Sequence, residues 1–155
     1  MPFTAEGASF QLPVGWADAS TARFRAPAAD EVEGPAIGVS FSALREGATI
    51  RALADAALVD AARGPTPDGP HLRLVDFDPS EDIKVGGRPA LLLRFLFAHA
   101  AAHGERLVVQ TIVWVAPARE DEQVATVITA IAPIDAALDM QTRLESVLAS
   151  VRFDA

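Results

Sequence analysis

Apolar residues crowd two neighbouring stretches of the chain, LLLRFLF at 91–97 and LVVQTIVWV at 107–115. Both have the length and the branched and aromatic content of β-strands. Neither alternates as a strand with one wet face must, since successive side chains point to opposite faces. In the first, Leu91, Leu93, Phe95 and Phe97 form the bulky set and are expected in the core, which puts Leu92 and Leu96, either side of Arg94, on the other face. In the second, both parities are apolar apart from Gln110 and Thr111, so its facing is left open. A clean alternation appears in AIGVSFSAL at 36–44, with Ile37, Val39 and Phe41 on one face and Ala36, Gly38, Ser40 and Ser42 on the other.

Turn and cap residues mark out the remaining elements. ASFQLP at 8–13 predicts a short strand ended by Pro13, and residues around 23–26 a second. Thr49 is placed to cap a helix to about Arg63, with Ile50, Leu53, Ala57, Leu58 and Ala61 as its apolar stripe and Gly64-Pro65 as its stop. HLRLVDFD and DIKV are strand-like, and Gly86-Gly87 predicts a tight hairpin into the segment from Arg88. HAAAHG and PARED predict the connections to 107–115 and to QVATVITAIAP. Asp135 is placed to cap a last helix through about Ser150, with Leu138, Gln141, Leu144, Val147, Leu148 and Val151 near one face. Strands joined by hairpins, with helices at two places, predict an α+β domain over residues 1–155: a mainly antiparallel sheet of about six strands with two principal helices.

Two such helices cover one face of that sheet and hardly both. An apolar area of about 400 Å² left wet would be worth roughly 10 kcal/mol to cover, and patches of that size mark contacts with partners or other subunits. Loops at 26–35 and 64–70 are the internal alternative. The expectation is a partner, and with it a homodimer.

Composition narrows the partner. Lys and Arg number 13 against 21 Asp and Glu, a formal net charge of −8, which argues against nucleic acid and anionic membrane surfaces. There are no cysteines, so disulfides and thiolate chemistry are excluded. No basic n-region and apolar h-region open the chain, and no apolar run is long enough to insert in a membrane, so a cytoplasmic protein is expected.

Candidate chemistry is thin. His99 and His103 have i, i+4 spacing, but no third ligand stands near and the segment is expected to be a turn. DFDPSED at 76–82 faintly echoes a calcium loop, with Glu81 where glycine is needed and Gly87 where the last glutamate is needed. No serine lies in a nucleophile motif. No catalytic residue, metal or cofactor is assigned, and the chain is not expected to be an enzyme.

FQLPVGWADAS at 10–20 resembles the F-x-L-P-x-G-W-x-D-x-S opening of the DcrB-like family, small α+β domains related in fold to PsbP. GVSFSALREGATIRALADAAL, VGGRPALLLRF, Gln110 and TAIAP continue the likeness over almost the whole chain. Among such domains, members without a signal peptide resemble the Eag chaperones of type VI secretion. That resemblance implies a dimer that holds the transmembrane helices of an effector, beside its PAAR domain, before export. Ala57 stands where that family often has a helix glutamine, and the lipidated cysteine of periplasmic members is absent. A DcrB-like binding module or structural protein with another partner is the alternative, and a small hydrolytic enzyme a more distant one.

The resemblance gives the bare face an occupant. An apolar helix approaches a sheet closely where side chains are small, as membrane helices do to one another. Ala36, Gly38, Ser40 and Ser42 offer such a track, and Leu92, Leu96, Val108, Gln110 and Ile112 are assigned beside it. Ser40 and Gln110 are placed to hydrogen-bond polar groups of a bound helix.

Overall fold

The computed structural model of the chain describes residues 2–5, 8–11, 17–20, 23–25, 36–44, 48–63, 72–101, 104–117 and 124–153. The loops at 26–35 and 64–70, His103, the tip at 119–122 and the LPVGW stretch at 12–16 lie outside them. In chain order the elements are β1 (Pro2–Ala5), β2 (Ala8–Gln11), β3 (Ala17–Ser20), β4 (Arg23–Arg25), β5 (Ala36–Ala43), α1 (Ile50–Ala62), β6 (Leu72–Phe77), β7 (Glu81–Val85), β8 (Arg88–Ala101), β9 (Gly104–Val115) and β10 (Val124–Pro133). A 3₁₀ turn (Ile134–Ala136), α2 (Ala137–Ser150) and β11 (Arg152–Phe153) follow. The class is α+β, with every strand pairing antiparallel. The main sheet has eight strands in the order β3-β4-β5-β10-β9-β8-β6, with β7 also on β8, and β1-β2-β11 form a small second sheet.

Helices lie on both faces of the main sheet, and this explains the missing alternation. On one face Met140, Leu144 and Val147 of α2 pack on Ile37, Val39, Val113, Val115, Ile128 and Ala130. On the other, Ile50, Leu53, Ala54, Leu58 and Ala61 of α1 pack against Leu91, Leu93, Phe95, Phe97 and Trp114. Val113 is 0% exposed on one side of β9 and Trp114 4% on the other. A strand dry on both faces has no wet parity, so it reads as a near-continuous apolar run. The expectation that both helices serve one face is therefore corrected.

Two local expectations are corrected with it. HAAAHG is mostly strand: β8 continues to Ala101, with His99 opposite Arg106. Asp135 sits inside the 3₁₀ turn, and the N-cap of α2, Ala136, makes no side-chain hydrogen bond. Of the expected stripe, Leu144, Val147 and Val151 are buried and Leu148 half-buried, whereas Leu138 is 82% exposed and Gln141 exposed, Met140 taking the core position in the first turns. Thr49 does cap α1, its hydroxyl oxygen accepting from the Ala52 N–H at 3.3 Å. Gly86 and Gly87 turn the β7–β8 hairpin with φ of 59° and 83°, both left-handed, as a two-residue loop with that twist requires. Among the described residues no helix is long and apolar enough to cross a membrane.

Candidate functional site

Strand register fixes which of the candidate residues share a face, because directly opposed side chains of antiparallel neighbours stand on the same side. One row runs from Leu93 through Ile112 and Thr129 to Gly38. The next runs from Phe95 through Gln110 and Ile131 to Ala36, and a third from Leu91 through Trp114 and Val127 to Ser40. The small-residue track of β5 thus lies on the α1 face, together with Val108, Gln110 and Ile112 of β9. The open question of how 107–115 faces is answered by this register.

Two candidates leave the groove. Leu91, Leu93, Phe95 and Phe97 lie on the same face as the track, so Leu92 and Leu96 lie on the opposite one. Leu92 packs into the α2-side core. Leu96 pairs with Val109 and lines a separate cleft with Ile134. The error has a physical source: β10 and β9 stand between β5 and β8, and alternation within one strand does not show how it is phased against a strand two places away.

The α1 face is only half covered by its own helix, which packs over β8, β6 and β9. Neighbouring strands are about 4.8 Å apart, so β5 lies about 14 Å across the sheet from β8. Packed helices keep their axes about 8–10 Å apart. The strip over β10 and β5 therefore has the width for a second helix beside α1. Along it Ser40 is exposed and Gly38, Ser42, Thr129 and Ile131 are half-buried, as are Val108, Gln110 and Ile112 at its β9 border. Ala36 is 3% exposed, so the track is shorter than its sequence suggests and begins at Gly38, and on β10 Val127 and Ala125 of this face are buried. Thr129 and Ile131 went unassigned in the sequence. Their signal is the parity of VATVITAIAP, legible only once β10 is known to pair with β5 on one side and β9 on the other.

The strip can bind and has little with which to catalyse. Ser40, Thr129 and Gln110 offer hydroxyls and an amide, and the three rows carry no His, Asp or Glu that would act as a base. His99 stands in β8 opposite Arg106 and not on a helix, and His103 lies outside the described residues. The acids at 76–82 are strung along β8 on β6 and β7, where Asp78 pairs with Arg94 at 3.4 Å and Asp82 with Arg51 at 3.7 Å. That is an edge laced by exposed ion pairs and not a loop wrapped around a centre. Among the described residues no three His, Cys, Asp or Glu converge as metal ligands would.

No protein-family model matches the chain, and no curated protein matches it. Solved structures do. The crystal structure of LpqN, involved in cell envelope biogenesis of Mycobacterium tuberculosis, aligns with a TM-score of 0.67 at 15% identity, over 100% of this chain and 90% of that one. The solution structure of cyanobacterial PsbP from Synechocystis sp. PCC 6803 aligns with a TM-score of 0.65 at 14% identity, over 99% and 92% of the two chains. A Pseudomonas aeruginosa protein of unknown function, PA94, aligns with a TM-score of 0.58 at 17% identity, over 97% and 94%. At these identities the likeness is one of fold, and the fold of this chain is PsbP-like.

Proposed function

We propose that the chain is a binding protein and not an enzyme, and that it holds an apolar helix on the strip beside α1. In the finer form of this reading the helix is a transmembrane segment of a type VI secretion effector, next to its PAAR domain, shielded in the cytoplasm before export. One observation carries the proposal: a row of small residues, Gly38, Ser40 and Ser42, lies beside Thr129, Ile131 and Ile112 on a sheet face whose own helix packs over β6, β8 and β9, with Arg23 of β4 opposite Gly38 at its border. Small side chains let a helix come close, and the hydroxyls and the Gln110 amide satisfy its few polar groups. The resemblance of the sequence motifs to the DcrB-like family, and within it to Eag chaperones, is the ground for the choice of client.

Co-expression with an effector fragment that contains the PAAR domain and its adjoining transmembrane helices tests the proposal. The wild-type chain is expected to keep the fragment soluble and to co-purify with it. Gly38→Gln is expected to melt as wild type and to lose the fragment, because a long amide would hold the helix off the sheet and press a polar group on apolar surface, at about 1–3 kcal/mol. A variant that keeps both its stability and its client would remove the strip as the binding site. A wild-type chain that leaves the fragment insoluble would remove the client.

A further inference from the structure

A cleft of about 220 Å³ opens on the opposite face of the sheet, where β6 and β8 pass the start of α2. Leu96 and Val109, opposed across β8 and β9, line it with Ile134, while Phe77, opposite Phe95, turns its side chain to the α1 face and borders the cleft with its backbone. Ile134 is 48% exposed and Leu96 and Val109 are half-buried, so the cleft has an apolar wall that nothing among the described residues fully covers. A bulge between Leu74 and Asp76 shifts the β6 register at this point, a device that re-aims side chains beside functional sites. Apolar cavities of about 150 Å³ take benzene, so this volume suits one bulky side chain and little more.

The polar wall gives the occupant its charge. Asp76, Asp78 and Arg94 line the same cleft, two carboxylates against one guanidinium. Arg94 reaches Asp78 with one nitrogen at 3.4 Å, and Asp78 stays 65% exposed. Asp76 accepts from the Phe77 N–H at 2.9 Å and is exposed. The surplus is negative, on a chain whose formal net charge is −8. We propose that this cleft docks a short segment of a partner protein that presents one bulky apolar side chain beside a lysine or arginine. The apolar side chain enters between Leu96, Val109 and Ile134, and the cation meets Asp78 and Asp76 at the rim. The surface lies across the sheet from the helix-binding strip, so the two readings stand or fall separately.

The test is a nuclear magnetic resonance titration of the isotope-labelled full chain with acetyl-Gly-Lys-Leu-Lys-Leu-Gly-amide. Two analogues serve as controls, one with glutamate for both lysines and one with serine for both leucines. The basic apolar peptide is expected to shift the amides of Phe77, Leu96, Val109 and Ile134 and to bind at least about tenfold tighter than either analogue, a difference of about 1.4 kcal/mol. Ile134→Ser and Asp78→Asn are each expected to weaken it severalfold with no change in melting temperature. The proposal is overturned if the glutamate analogue binds as well, or if the shifts fall on Gly38, Ser40 and Ser42 instead. It is equally overturned if both variants bind like wild type, or if the cleft amides shift with protein concentration alone, which would make a second copy the occupant.

Discussion

At the scale of single residues, Gly86 and Gly87 look equivalent in the sequence and differ in the fold. Both have left-handed φ, which costs a residue with a Cβ about 1–2 kcal/mol. Beyond that, a Cβ on Gly87 would meet nothing within 4 Å, whereas one on Gly86 would stand 2.6 Å from the Phe153 ring. That ring is itself held under Arg88, whose guanidinium carbon lies 4.0 Å from its centroid. Gly87→Ala is therefore expected to lower stability by about 1–2 kcal/mol and Gly86→Ala by about 2–4 kcal/mol. Chemical denaturation of both variants checks this, and equal losses would refute it. Removing the ring with Phe153→Ala should erase most of the difference between them, a coupling that only residues in contact show. The hairpin was legible because its signal is local. The contact with Phe153 was not, because nothing in either segment points to the other.

Elements divide the same way between local and distant causes. The α1 helix was legible almost entirely: Thr49 caps it, Ile50, Leu53, Ala57, Leu58 and Ala61 face the core, and it ends at Ala62. Thr49→Ala should cost about 1 kcal/mol, since it frees the Ala52 N–H that the hydroxyl satisfies. What the sequence hid in α1 is Ala54, its fully buried position, because a small residue marks neither a core nor a surface. Ala54→Leu should cost about 1–3 kcal/mol by overpacking against Leu91, Leu93 and Trp114. Val59→Ser, at a site 55% exposed, should cost no more than about 0.5 kcal/mol. Melting curves that rank these two the other way would mean the helix is rotated from this placement. The face of α2 was legible from Leu144 onward and not in its first turns, where Met140 is the buried residue. Leu138, which fits the stripe by spacing, is 82% exposed.

For the whole molecule, the α+β class and the PsbP-like fold were legible from hairpins, caps and motif order, while the phase between distant strands was not. That phase changes the argument for a homodimer. With one bare face, a second copy would have been its natural cover; with a helix on each face, what the described residues leave beside α1 is a strip over β5 and β10 in which Ala36, Ala125 and Val127 are already buried. Eight residues at about 3.3 Å each and two strands at about 4.8 Å make a strip of at most roughly 27 by 10 Å, or about 270 Å². Two such strips facing each other would bury about 540 Å², well under the roughly 1,200 Å² of a stable protein interface. A single helix needs only a strip of this width, so the magnitudes favour a client there over a second copy. Gly38→Gln is accordingly expected to abolish client binding while its sedimentation coefficient stays that of the wild type at the same concentration. If the wild type sediments as a dimer and the variant as a monomer, the strip serves self-association, and any client must compete with the second copy for it.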